Sequence, residues 1–223
     1  MSDIVNTKNT VIFDLDGTLL DTLEDLWTAV NHALSVCNMP ERSLDEVRRF
    51  VGNGIKMLMI RAVPGGEENP DFDKAFEVFK QYYGVHCNDT TKPYDGIPEL
   101  LQELKKEGYA VAIVSNKIDS AVKDLNERYF PQVEVAIGDR ENLKRKPEPD
   151  SVFLALKELG RAQDEAVYVG DSDVDLQTSR NAGLPCISVL WGFRDRAFLK
   201  EHGASIFVEK PMEILDILKR NPL

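Results

Sequence analysis

Three short polar clusters in this chain could do chemistry together. They are Asp14-Leu15-Asp16, Ser115-Asn116 and Gly170-Asp171-Ser172-Asp173-Val174-Asp175. Each follows an apolar run suited to a strand: Thr10-Val11-Ile12-Phe13, Tyr109 to Val114, and Ala166 to Val169. Acids that follow strands can simply cap the next helices, and any one cluster taken alone is open to that account. Three of them on successive strand ends point to one edge, because ligands of open parallel sheets bind outside the carboxyl ends of the strands. Two carboxylates ~4 Å apart repel by about 4 kcal/mol at an effective dielectric of ~20. A site that gathers Asp14, Asp16 and Asp171 therefore wants a cation. Oxygen ligands and an open coordination sphere suit Mg²⁺, which takes one or two carboxylates together with waters and substrate phosphate. A cation, a hydroxyl, a lysine and a carboxylate able to attack phosphorus are what phosphoryl transfer requires.

Neighbouring chemistries fail on spacing. A calcium loop starting at Asp171 would need Gly at its sixth position and Glu at its twelfth, where Leu176 and Ala182 stand. The same test from Asp14 meets Leu19 and Asp25. Gly52-Asn53-Gly54-Ile55-Lys56 lacks the phosphate-loop spacing and the Ser or Thr after its Lys. No Gly-x-Ser-x-Gly occurs, which removes a serine-hydrolase elbow. His32, His86 and His202 show no metal-ligand spacing. Cys37, Cys87 and Cys186 form no Cys-x-x-Cys pair, so neither a zinc site nor a disulfide framework is expected.

The elements that must position the clusters alternate along the chain. After the first strand, residues 21–90 read as helical throughout. Leu23, Leu26, Trp27, Val30 and Leu34 recur at helical spacing, and Ser43 with Glu46 makes a capping box. Helix breaks fall at Gly52-Asn53-Gly54 and Pro64-Gly65-Gly66. From Asp95 onward strands and helices alternate, which implies βαβ units and a parallel sheet covered on both faces. The fold expected is α/β: a Rossmann-like parallel-sheet core of residues 1–20 and 91–223, with residues 21–90 inserted as an α-helical cap.

The chain has 223 residues, with 27 Lys and Arg against 38 Asp and Glu, a formal charge of −11. That balance argues against nucleic-acid and anionic-membrane partners, both of which rest on excess positive charge. The N-terminus, Met1 to Asn9, is polar, and no apolar run approaches a membrane span, so a cytoplasmic location is expected. Asn88-Asp89-Thr90 matches a glycosylation sequon by chance on the same reading. A small phosphorylated metabolite is the expected partner, bound by a monomer or homodimer.

Phe13-Asp14-Leu15-Asp16-Gly17-Thr18-Leu19 resembles the first motif of the haloacid dehalogenase superfamily. Val114-Ser115-Asn116 resembles its second, Lys146-Pro147-Glu148-Pro149 its third, and Val169 to Asp175 its fourth. The order and spacing agree over almost the whole chain, and the helical insert sits where that family places its first type of cap. Asp14 to Asp21 and Phe50-Val51-Gly52-Asn53-Gly54 look most like the phosphoglycolate phosphatase branch.

The resemblance implies roles residue by residue. Asp14 would be the nucleophile. Asp16 would protonate the leaving oxygen and then deprotonate the hydrolytic water. Asp14, the Asp16 backbone carbonyl and Asp171 would hold Mg²⁺. Ser115 and the Asn116 N–H would bind phosphoryl oxygens, Lys146 would neutralise the phosphoaspartate, and Asp175 would orient Lys146 or a metal-bound water. Asp173 is expected to be a solvated or helix-capping acid. Asn53, flanked by glycines, is the favoured substrate contact in the cap. Lys56 and Arg61 read as a solvated face, and Trp191-Gly192-Phe193 as either packing or an entrance wall.

The activity implied is a Mg²⁺-dependent phosphatase for a small phosphate monoester, phosphoglycolate first. The alternatives are a phosphosugar mutase similar to β-phosphoglucomutase, or another small-molecule phosphatase or pyrophosphatase on the same fold. A haloacid dehalogenase is disfavoured by Asp16, since that branch has an aromatic residue there. A non-catalytic binding protein is disfavoured by the complete set of motif residues.

Overall fold

The computed structural model describes residues 8–220. Of the polar stretch Met1 to Asn9, residues 1–7 lie outside them. In chain order the regular elements are β1 (Thr10–Phe13), β2 (Leu20–Asp21), α1 (Leu23–Val36), α2 (Leu44–Phe50), α3 (Gly54–Ala62), α4 (Phe72–His86) and β3 (Lys92–Pro93). They continue with α5 (Ile97–Lys106), β4 (Ala110–Ile118), α6 (Asp119–Tyr129), β5 (Val135–Asp139), α7 (Asp150–Leu159) and β6 (Ala166–Gly170). The last are α8 (Asp173–Asn181), β7 (Cys186–Val189), α9 (Arg196–Glu201), β8 (Ile206–Val208) and α10 (Met212–Arg220). The described chain packs as two compact units, one up to Leu19 and from Pro93 onward, the other Leu20–Lys92. No helix among the described residues is long and apolar enough to cross a membrane.

The first unit is a six-stranded sheet in the order β5-β4-β1-β6-β7-β8, every pair parallel. The expected α/β class is therefore what the chain adopts. Both side-chain parities of the central strands are buried, Val11 and Phe13 as well as Ile12, so both faces of the sheet are covered. Ile12, Ala112, Val114 and Tyr168 share one core with Val152, Ala155 and Leu156 of α7. From β1 the order runs out through β4 to β5 on one side and through β6 to β8 on the other. That reversal makes a switch point at the end of β1, where such sheets open a crevice. Phe13 stands opposite Ile113 of β4 and Val169 of β6. Two residues further along, Leu15, Ser115 and Asp171 therefore reach one level across β1, β4 and β6.

One strand runs further than the apolar pattern suggests. The sequence predicts an end at Val114, yet β4 continues to Ile118, with its register against β5 shifted between those two residues. Such an irregularity re-aims side chains near a site. The partner strand accommodates it with Gly138, where a Cβ would stand 2.6 Å from the Lys117 carbonyl oxygen.

The second unit holds α1 to α4, together with β2 and Lys92 of β3, which pair as a two-stranded sheet. Two-residue strands carry no periodicity, so the sequence reads their neighbourhood as helix or loop. The capping box at α2 forms: Ser43 Oγ accepts from the Glu46 N–H, and Glu46 Oε2 accepts from the Ser43 N–H at 2.8 Å. The α1 helix buries Leu26, Ala29, Val30 and Leu34 on one stripe. At its first turn Asp25 is buried too. It accepts hydrogen bonds from the Thr90 N–H (2.9 Å) and hydroxyl (2.7 Å) and the Thr91 N–H (3.0 Å) and hydroxyl (2.7 Å).

Candidate active site

The cluster of Asp14, Asp171 and Asp175 lies in the α/β unit. Asp14 leaves β1 with its N–H on the Val169 carbonyl at 2.9 Å. Its carboxylate Oδ1 accepts from Lys146 Nζ at 2.7 Å. The same ammonium donates to Asp175 Oδ1 at 2.9 Å and to the Tyr168 hydroxyl at 3.1 Å, and that hydroxyl donates to Asp175 Oδ1 at 3.1 Å. Asp175 has a second duty. Its Oδ2 accepts from the Ser172 N–H (3.1 Å) and hydroxyl (2.6 Å), a capping box at the start of α8. Both accounts of the last acidic cluster thus hold at once, since one carboxylate caps a helix and orients a lysine.

Asp171 is 1% exposed. Its Oδ2 accepts from the Phe193 N–H at 2.7 Å and its Oδ1 from the Thr18 hydroxyl at 3.3 Å. Backbone closes tightly around it. Gly17 has φ +85°, and a Cβ there would stand 2.5 Å from Asp171 Oδ2. Trp191 Nε1 donates to the Thr18 carbonyl at 3.0 Å, so the Trp191-Gly192-Phe193 turn packs onto the first loop and onto Asp171. Asn116 Nδ2 donates to the Lys146 carbonyl at 3.0 Å, tying the end of β4 to the turn that carries the lysine, whose bond to Pro147 is cis. Ser115 is buried, and its Oγ accepts from the Lys117 N–H at 3.2 Å.

The carboxylates that meet are Asp14, Asp171 and Asp175, whose oxygens lie within 4.8 Å of one another. The side chain of Asp16, expected among them, is not in that group. It pairs with Lys117 Nζ at 3.3 Å. Asp173, expected to be solvated or capping, lies 3.8 Å from the Arg194 guanidinium while Ser172 takes the cap. Asn53 belongs to the helical unit, at the N-terminus of α3, and its Oδ1 accepts from Arg61 Nη2 at 2.7 Å. Arg61 also donates to the Phe50 carbonyl at 2.6 Å, and Lys56 pairs with Glu67 at 2.7 Å on the exposed surface. Arg61 is thus an internal tie rather than the solvated face expected.

The electrostatics of the cluster show a shortage of positive charge. Burial pushes the Asp14 carboxyl well above the usual carboxylate range, Asp175 pushes it further, and Lys146 only partly opposes them. Burial, with Asp175 beside it, raises Asp171 to about 7. Burial works against the charge on Lys146, but Asp14 and Asp175 outweigh it and hold the ammonium well above its ordinary value. Burial likewise raises the Tyr168 phenol, which stays a proton donor. Buried carboxylates crowded in this way fit a divalent cation, which would offset their mutual repulsion.

Residues 11–189 match the family model for haloacid dehalogenase-like hydrolases. The chain belongs to that family. The phosphoglycolate phosphatase of Pseudomonas fluorescens is 33% identical over 220 residues, covering 94% of this chain and 77% of that protein. An N-acetylmuramic acid 6-phosphate phosphatase from Pseudomonas aeruginosa is 30% identical over 214 residues, covering 94% of both chains. A solved structure from Lactobacillus delbrueckii subsp. bulgaricus superposes with a TM-score of 0.91 at 34% identity, covering 94% of this chain and 98% of that one.

Several residues of this haloacid dehalogenase-like hydrolase are not evident in its motifs. Tyr168 sits inside an apolar strand and reads as core, although its hydroxyl braces Lys146. Thr18 and the Phe193 N–H hold Asp171 from segments 153 residues before it and 22 residues after it. Lys117 follows the second motif directly. A cation two residues beyond Ser115 on a strand end was a signal available in the sequence.

Proposed function

We propose that this haloacid dehalogenase-like hydrolase is a Mg²⁺-dependent phosphatase that cleaves a small phosphate monoester, phosphoglycolate, through an aspartyl phosphate. The observation that carries the reading is the Lys146 bridge, one buried ammonium held between Asp14 at 2.7 Å and Asp175 at 2.9 Å. Asp14 is the nucleophile: a carboxylate oxygen forms a bond to phosphorus while the ester oxygen leaves with a proton from Asp16. Water then attacks phosphorus and gives its proton to Asp16, and the departing phosphate restores the Asp14 carboxylate. The Ser115 hydroxyl, the Asn116 N–H and Lys146 bind phosphoryl oxygens, and Asp175 with Tyr168 keeps Lys146 aimed. Asp14, Asp171 and the Asp16 carbonyl would hold Mg²⁺, which when bound offsets the negative charge shared by carboxylates and phosphate. The helical unit is the cap of this reading, and Asn53, steadied by Arg61, is its contact with substrate.

Two relatives named for phosphatase activity on phosphate esters of acids support the substrate class. The test is phosphate release from a panel containing phosphoglycolate, N-acetylmuramic acid 6-phosphate, hexose phosphates, nucleotides and p-nitrophenyl phosphate, with Mg²⁺ and with chelator. Phosphoglycolate turns over fastest, and only with the metal. Full activity in chelator overturns the metal role. Faster release from N-acetylmuramic acid 6-phosphate, hexose phosphates or nucleotides overturns the substrate alone. Conversion of a hexose 1-phosphate to its 6-phosphate without phosphate release overturns the hydrolase.

A further inference from the structure

Lys117 is the second buried lysine at the sheet edge, 8% exposed, and its ammonium stands 3.3 Å from Asp16 Oδ1. Burying an ammonium is unfavourable unless a negative group meets it, so a buried lysine at a ligand-binding edge marks where negative charge belongs. Lys146 and Lys117 divide the edge between them. Lys146 lies against Asp14, on the side of the attacking carboxylate, while Lys117 lies against Asp16, on the side from which the leaving group is protonated. On the reading of Asp16 as the acid for the leaving group, the part of the substrate beyond the phosphate lies on the Lys117 side.

We propose that Lys117 is a specificity-determining residue that binds a second anionic group on the substrate, a carboxylate carried close to the phosphate ester oxygen. The inference rests on the reading of Asp16 as the group that meets the ester oxygen. An ester oxygen within hydrogen-bond reach of Asp16 Oδ1, ~2.6–3.2 Å, lies no more than about 6.5 Å from Lys117 Nζ. A carboxylate one methylene beyond that oxygen spans the gap and leaves an ion-pair distance. A neutral substituent there would forgo the ion pair with Lys117, which stays on Asp16, and the missing attraction discriminates against it.

The Mg²⁺-loaded enzyme tests this with two esters of similar size, phosphoglycolate and 2-hydroxyethyl phosphate. The quantity read is the ratio of their kcat/KM values. Wild type favours the acid. Lys117→Met lowers the ratio by about thirtyfold or more, mainly through KM for phosphoglycolate, and Lys117→Gln does the same should the Met variant fold poorly. Lys117→Arg keeps the ratio within about fivefold, because the charge stays. Any effect of Lys117 acting only through Asp16 or through folding slows both esters alike and cancels in the ratio. A ratio that moves less than about threefold in the neutral variants therefore overturns the proposal, as does a wild type that prefers the neutral ester. A wild type that releases phosphate from no ester on the wider panel overturns the phosphatase reading itself, and this proposal with it.

Discussion

Asp25 in the helical unit and Asp14 in the α/β unit are both buried, at 4% and 8% exposed, yet their carboxyl groups are moved in opposite directions. Around Asp25, burial is unfavourable to the charge, but two threonine hydroxyls and two backbone N–H groups more than compensate, and the carboxyl lies below its ordinary value. Around Asp14, burial is joined by Asp175 and Asp171, and the carboxyl lies well above it. The lesson is that burial alone does not mark a functional acid. Four donors make Asp25 a structural anion that ties α1 to the end of the helical unit. An excess of carboxylates at Asp14 makes a place that needs a cation to balance it.

Asp14→Asn should lower turnover by more than about 10⁴-fold, because the amide cannot form the aspartyl phosphate. The thermal midpoint of the metal-free variant should fall little, since the crowd of carboxylates loses one member and Lys146 keeps Asp175. Residual activity within about tenfold of wild type would remove Asp14 as nucleophile.

Asp25→Asn should do the reverse. It leaves buried threonine donors facing an amide that can accept from only some of them, which costs about 2–4 kcal/mol in chemical denaturation. Turnover of the folded fraction should stay within severalfold of wild type. The pH dependence follows from the direction of the shift. Asp25 has a folded value below its ordinary 3.8, so its stabilisation is complete above that pH and is lost as pH falls through the lowered value. The stability gap between wild type and Asp25→Asn should therefore be constant near neutrality and shrink in acid. A gap that widens in acid would show that the carboxylate is not the stabilising form.

The smallest effect tests whether local signals in the helical unit act locally. Ser43→Ala removes the cap of α2 and should cost about 1 kcal/mol, with no change in the kinetics of the α/β site. A loss of activity larger than the loss of folded protein would contradict that separation.

Much of this molecule is written in short stretches of its sequence. The apolar run of β1 followed at once by Asp14, the alternation after Asp95, and the Ser43–Glu46 box depend on neighbours one to four residues apart, and periodicity and capping report such neighbours directly. So do the clusters themselves, each of which directly follows an apolar run, although β4 itself continues to Ile118. The pairings at the site are of another kind. Lys117 meets Asp16 across 101 residues, Lys146 meets Asp14 across 132, and Thr18 meets Asp171 across 153. The order β4-β1-β6 sets the strand ends that carry Lys117, Asp14 and Asp171 side by side, and the turn before α7 brings Lys146 to them. The register shift in β4 moves Ser115, Asn116 and Lys117 out of the plain strand alternation that an apolar pattern predicts. Residue types at the strand ends are legible from neighbours along the chain. Which carboxylate each lysine neutralises is set by the fold, because an ion pair depends on distance in space, and adjacency in the chain carries no record of it.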